Sequence, residues 1–164
     1  MKRPTLAFLL LGVGLFLLSL PVPGMRLSVD GRPVVWLPLS AGERLELTWV
    51  HSVSGIRVRE VFRYQNGTLF FTETHNPWFA AGLGEVPGRG RVVAEAGHAV
   101  AIVGIDEPAW GMVFRLGAPS VDHTLWYRGR PLRLSRCYPH ARLAWSPERR
   151  PWLLARFLAK DPCL

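Results

Sequence analysis

The sequence has few cysteines, no cluster of cations and no glycine-rich nucleotide motif. The pattern GxGxxG is absent from its 164 residues, so nucleotide binding is not supported. The 20 Lys and Arg residues are scattered, which is untypical of a nucleic-acid-binding protein. The net charge of +8 falls to +6 without Lys2 and Arg3. This excess favours a soluble basic surface able to lie near anionic lipid headgroups.

An apolar run at the N-terminus, TLAFLLLGVGLFLLSL, extends from Thr5 to Leu20 without a charged residue. Lys2 and Arg3 precede it, as in a secretory signal or a single N-terminal anchor. The run has about 16 residues, short of the roughly 20 of a spanning helix, and no Ala-x-Ala cleavage site follows. We predict a signal peptide or membrane anchor over 1–24, with an uncleaved anchor preferred. The rest, 25–164, is predicted to be one domain outside the cytoplasm, at the cell membrane or, after cleavage, in the periplasm.

The chain has only two cysteines, Cys137 and Cys163. An exported chain meets an oxidising compartment, where disulfides form. A bridge between these residues would stabilise the fold by about 3 kcal/mol on loop-closure arguments. Two free thiols are the alternative, and we favour the disulfide.

Short β-like runs recur about every ten residues after the N-terminal segment. Asp30-Gly31 predicts a first hairpin, and Pro33 and Pro38 predict that its second strand lies at a sheet edge. The spacing of the later runs predicts a mainly β fold, an antiparallel sandwich or barrel. At the end of the chain, Ser146 as N-cap and Pro147 at the first helical position predict a C-terminal helix over 147–160.

Three strands with two tight turns are predicted between Leu45 and His75. If Ser54-Gly55 and Asn66-Gly67 form the turns, counting outward gives the strand register. It pairs His51 with Val58, Trp49 with Glu60, Phe62 with Phe71, Glu60 with Glu73, and Val58 with His75. Four polar residues then interrupt one apolar face together: His51, Glu60, Glu73 and His75.

Such a cluster has three chemical interpretations: a cation site, a shared-proton cluster or a buried ionic network. His and Glu are suitable ligands for zinc or iron, so all four residues are candidate metal ligands. A metal-dependent hydrolase would use His51 and His75 as ligands and Glu60 or Glu73 as base. His51 and Ser52 do not form a catalytic pair, because neighbours on a strand face opposite sides.

A glycine-rich segment, NPWFAAGLGEVPGRGR, follows His75 directly. We predict a long ordered loop whose glycine N–H groups could accept an anion beside the polar cluster. Gly82 and Leu83 are therefore added to the candidate ligand-binding residues.

The segment WVHSVSGIRVRE, a hydrophobic hairpin and AAGLGEVPG together resemble an uncharacterised bacterial domain-of-unknown-function family of small exported proteins. Its members look like companions of the TAXI subtype of tripartite (TRAP) transporters. The resemblance covers about Leu45 to Val93 and selects His51, Ser52, Glu60, Gly82 and Leu83. Here Gly84-Glu85-Val86 precedes Pro87, a departure from the family's compact Gly-Leu-Pro loop. The resemblance implies location and association with TRAP membrane subunits, and no established reaction.

These observations favour an extracytoplasmic accessory or binding protein over an enzyme. It would associate with the cytoplasmic membrane and a TRAP-type solute transporter, and its His/Glu polar centre would bind a small molecule. We expect no cofactor other than a possible divalent metal. The metal-dependent hydrolase and a purely structural envelope protein are the alternatives.

Overall fold

The computed structural model describes residues 3–76, 90–94, 100–109 and 111–151, which are mainly β. The prediction of a mainly β, antiparallel fold is confirmed. The strands are β1 (Pro21–Val29), β2 (Arg32–Pro38), β3 (Arg44–Val50), β4 (Arg57–Gln65), β5 (Thr68–Asn76), β6 (Arg91–Ala94), β7 (Val100–Pro108), β8 (Val113–Arg115), β9 (Thr124–Tyr127), β10 (Arg130–Leu132) and β11 (Arg142–Pro151). The helices are α1 (Arg3–Ser19) and α2 (Leu134–Cys137).

The strands form two antiparallel sheets. One has four strands in the order β2-β1-β11-β8, and the other has seven in the order β10-β9-β3-β4-β5-β7-β6. Strand β2 is at an edge, as its prolines predict. One core contains side chains from both sheets, an arrangement typical of a sandwich. Among its fully buried members are Met25, Leu27, Leu143 and Trp145 from the smaller sheet and Leu45, Phe62 and Leu125 from the larger one.

Two of the predicted tight turns, Asp30-Gly31 and Asn66-Gly67, join neighbouring strands as expected. Asp30 and Gly31 both have positive φ (47° and 81°), as do Asn66 and Gly67 (51° and 79°). Two consecutive positive φ values match the twist of a two-residue hairpin, and Asn-Gly and Asp-Gly adopt them readily. The β1–β2 and β4–β5 hairpins are therefore confirmed.

Helix α1 has 17 residues, and its large apolar side chains from Phe8 to Leu18 are exposed, Phe8 to 74%. None of the helices in the described ranges has both the length and the apolar character needed to cross a membrane. Only Leu20 separates α1 from β1, which begins at Pro21. The last four residues of the segment predicted as an anchor thus belong to the sheet.

The predicted C-terminal helix is wrong in its first five residues, because 147–151 lie in β11. This strand pairs with β1 from Val29↔Leu143 to Pro21↔Pro151. Leu143 and Trp145 alternate into the core, and the continuous ladder with β1 outweighs the local capping signal. The remaining residues, 152–160, lie outside the described part of the chain.

Candidate functional site

The register between β3 and β4 differs from the predicted one by two residues. Trp49 pairs with Val58 and Leu47 pairs with Glu60, because residues 52–55 form a four-residue connection in place of a two-residue turn. The His51 N–H donates to the Ile56 carbonyl at 2.7 Å and closes this connection. Side chains alternate with period two, so a shift of two residues keeps Glu60 on the predicted core-facing side.

A β-bulge in the second hairpin separates the predicted cluster. Phe62 pairs with Phe71 as expected, but the register then shifts, and Val61 pairs with Glu73. Thr72 is the extra residue, and its Oγ1 donates to the Val61 carbonyl at 3.1 Å. A shift of one residue reverses the face of every later side chain. The predicted pairing of Glu60 with Glu73 is therefore wrong.

Glu60 lies on the core-facing side of β4, opposite Leu47 and Thr74. Its side chain is half-buried, and within the described part of the chain no hydrogen bond or ion pair reaches its carboxyl group. Burial raises the pKa of Glu60 to about 7. An apolar setting disfavours the ionised form, so this carboxyl changes charge near neutral pH and can donate a hydrogen bond when protonated.

Glu73 and His75 lie on the opposite side of the seven-stranded sheet, in what we call the charged strip: Arg44, Glu46, Arg59, Glu73 and His75. Arg44 Nη2 donates to Glu73 Oε1 at 3.0 Å, and Glu73 Oε2 lies 3.1 Å from His75 Nε2. Arg59 Nη2 lies 3.2 Å from His75 Nδ1, and Arg59 Nη1 lies 3.5 Å from Glu46 Oε2. Cations and acids alternate along the strip, so its charges largely compensate one another.

His51 belongs to neither set. It follows the last residue of β3, and its Nδ1 accepts the Ser54 N–H at 3.3 Å. The Ser54 hydroxyl is also 3.1 Å from the same nitrogen. These contacts give His51 a local role in closing the connection between β3 and β4.

The four predicted ligands thus do not assemble into one metal site. No group of three or more His, Cys, Asp or Glu residues in the described ranges could hold a metal ion. Gly82 and Leu83, the other predicted ligand-binding residues, lie outside those ranges. Cys137 is disulfide-bonded, but Cys163 lies beyond the described residues, so their pairing stays a prediction.

A second polar group, absent from the predicted site, surrounds His123 at the start of β9. Its ring stacks on Trp49 with centroids 5.8 Å apart. Its Nδ1 accepts the Gly117 N–H at 3.2 Å and lies 3.1 Å from the Ser135 hydroxyl. Burial lowers the pKa of His123, and the nearby Asp122 charge offsets part of that effect. Because Ser135 is fully buried, this contact fastens α2 to the residue that precedes β9, and the Ser135 hydroxyl is closed to a substrate.

Sequence reasoning missed Arg44, Glu46 and Arg59 of the charged strip. Their signal is the alternation of charged and apolar residues in RLELTWV and RVREVF, which puts the charges on the face away from the core. The bulge, which brings Glu73 and His75 to that same face, leaves no comparable signal.

The model of a protein family described as "Domain of unknown function (DUF1850)" matches residues 45–134, more than half of the chain. The chain belongs to the DUF1850 family. No curated protein and no solved structure matches it. The matched segment begins at the second residue of β3 and ends at the first residue of α2. The DUF1850 region therefore includes Glu60, His123 and every member of the charged strip except Arg44.

Proposed function

We propose that this DUF1850 protein is an extracytoplasmic accessory or binding protein, held at the membrane by α1 and associated with a TRAP-type solute transporter. The observation that carries the proposal is the exposure of α1. A helix that is apolar all round requires an apolar environment, and lipid supplies one. The segment around His51-Ser52-Val53 and the hairpin that follows it resemble companions of TAXI-type transporters. This resemblance is the reason for proposing a TRAP transporter as the partner.

Helix α1 is shorter than a membrane-spanning helix, so the proposal requires the bilayer to adapt to it. At about 1.5 Å per residue its 17 residues extend over about 26 Å, against a hydrocarbon core of about 30 Å. Bilayers accommodate such a difference by local thinning at a modest cost. After an alkaline wash of the membranes, the wild-type protein should remain in the membrane fraction. The variant with Leu10 and Leu15 replaced by Asp should be released into the supernatant. Retention of that variant would contradict the anchoring role.

Within the folded region, we assign Glu60 to ligand binding and the charged strip to the partner. Glu60 is an unpaired carboxyl in an apolar setting, which is the kind of group that orients a small ligand. The strip is a row of partly exposed charges on the sheet face turned away from the core, and such charges set the specificity of an interface.

Co-purification with the membrane subunits of a TAXI-type TRAP transporter, co-expressed with the full chain, tests the association. The wild-type chain should remain bound after solubilisation, and the double variant Glu73→Gln, His75→Asn should bind more weakly. Asp106→Asn is a matched control, because Asp106 is an exposed acid of the same sheet that pairs with Arg63 at 2.8 Å. Absence of co-purification for the wild type, with and without transported solute, would refute the partner.

A further inference from the structure

The junction between α1 and the sheet fixes which end of the domain lies nearest to α1. Helix α1 ends at Ser19 and β1 begins at Pro21. Two residue steps of at most about 3.6 Å each separate Ser19 from Pro21, so the start of β1 lies within about 7 Å of the helix end. With α1 in lipid, as in the proposed function on which this inference rests, the first residues of β1 lie at the level of the headgroups.

Two arginines of β11 pair with residues at the start of β1. Val22 pairs with Arg150, and Pro23 pairs with Arg149. Arg150 Nε lies 2.9 Å from Glu148 Oε1, so part of its charge is compensated. Arg149 is exposed, and no acid pairs with it in the part of the chain that the structure describes.

The hairpin between β9 and β10 brings a third cation towards this end. Arg128 Nη2 donates to the Pro38 carbonyl at 3.3 Å, and Pro38 pairs with Gly24 of β1. Glu43 compensates this cation through contacts at 2.6 and 2.9 Å. Arg128 also lies 4.9 Å from the centre of the Tyr127 ring. Tyrosine and arginine side chains are common at the boundary between water and lipid.

The opposite end of β1 provides a matched cation that cannot reach the same surface. Arg32 is exposed at the start of β2 and pairs with Val29, the last residue of β1. Eight steps along a strand of about 3.3 Å each separate it by about 26 Å from Pro21. That distance exceeds the screening length of about 8 Å at physiological salt.

We propose that the end of the domain next to α1 is a bilayer-facing surface on which Arg149 and Arg150 bind the phosphates of anionic phospholipids. The surface gives the domain a fixed orientation, with the β1–β2 hairpin tip pointing away from the membrane. It also makes retention of anionic lipid dependent on salt, because the attraction is electrostatic.

Native mass spectrometry of the full chain in detergent, titrated with phosphatidylglycerol or phosphatidylcholine, tests this inference. The wild type should prefer phosphatidylglycerol, and Arg149→Gln with Arg150→Gln should weaken that binding about thirtyfold, as expected for two interfacial cations. Arg32→Gln should bind like the wild type. Equal binding by the double variant, or an equal loss in Arg32→Gln, would overturn the proposal.

Two controls distinguish a loss of lipid binding from unfolding of the variants and from a failure of α1 to anchor the chain. Thermal unfolding followed by circular dichroism checks that both variants are folded. Flotation of the wild type with vesicles of phosphatidylcholine alone tests anchoring by α1. A chain that floats but shows no preference for phosphatidylglycerol contradicts the lipid surface alone, whereas a chain that does not float contradicts the proposed function as well.

Discussion

Glu60 and Glu73 lie on opposite faces of the seven-stranded sheet, although an unbroken ladder from the Asn66-Gly67 turn would pair them directly. The bulge at Thr72 separates them. It removes the repulsion of two facing carboxylates on the core side, and it brings Glu73 into contact with His75 and Arg44. One inserted residue thus creates two different polar environments from a single alternating sequence.

The hydroxyl of Thr72 should stabilise the bulge. Thr72→Val removes its hydrogen bond to the Val61 carbonyl, and we expect a loss of about 1 kcal/mol in the free energy of unfolding. Urea denaturation measures it. Thr68→Val is the matched control on the same strand, because the buried Thr68 Oγ1 has no hydrogen-bond partner among the described residues. Equal losses in the two variants would show that the Thr72 contact contributes nothing.

The raised pKa of Glu60 predicts that stability falls as the pH rises. Between the ordinary value of 4.5 and about 7, the folded protein binds a proton that the unfolded chain has released. Ionisation of Glu60 should therefore remove stability across this range, on the order of 3 kcal/mol at full effect, and no more above it. Denaturant midpoints measured from pH 4.5 to 8 follow this change.

Glu60→Gln should abolish that part of the pH dependence, because the amide does not titrate. The matched variant Glu46→Gln removes a carboxyl from the neighbouring strand, where Arg59 compensates it. This control should retain the fall in stability. A Glu60→Gln profile that runs parallel to the wild-type profile from pH 4.5 to 8 would contradict the burial of an unpaired acid at position 60.

The sequence supports prediction of local features better than of the site. Asp30-Gly31 and Asn66-Gly67 reveal their turns because the required positive φ values depend on the turn residues themselves. The bulge at Thr72 depends on the pairing of β5 with both of its neighbours. The register of β5 shifts at this point against β4 and against β7. A threonine in an alternating strand carries no mark of such a shift, so the four-residue cluster was wrong although its strands were right.

The C-terminal segment shows the same limit in another form. Ser146 and Pro147 are good helix-start residues, yet they pair with Arg26 and Met25 in the middle of β11. Helix propensity is a local preference of a few tenths of a kcal/mol per residue, and a long ladder beside β1 overrides it. Capping signals alone therefore cannot distinguish a helix start from a strand that contains proline.

Gly24 should not tolerate a side chain. A Cβ at this position would lie 2.6 Å from the Trp36 ring and 2.5 Å from the Leu37 carbonyl oxygen. Gly24→Ala should therefore destabilise the fold by roughly 1–3 kcal/mol through overpacking, measured by urea denaturation. Ser28→Ala, on the same face of β1, should change stability by about 0.5 kcal/mol or less. An unchanged Gly24→Ala protein would contradict the close approach of Trp36.

The two cysteines should contribute no free thiol. Thiol titration of the denatured, unreduced protein should detect none, and titration after reduction should detect two, Cys137 and Cys163. Reduction should lower the free energy of unfolding by about 3 kcal/mol, because the open chain regains conformational entropy. The same thiol count before and after reduction would refute the disulfide.

His123 should respond to pH in the opposite direction from Glu60. Burial lowers its pKa below 6.5, so below that value the unfolded chain binds a proton that the folded protein resists. The contribution of neutral His123 is therefore complete above pH 6.5 and is lost on acidification. NMR titration of the imidazole Cε1–H signal should place the midpoint of His123 below the ordinary value of 6.5. His123→Asn should remove the loss at acidic pH while its amide oxygen can still accept the Gly117 N–H. A midpoint for His123 at or above 6.5 would show that the stack on Trp49 does not exclude water from the ring.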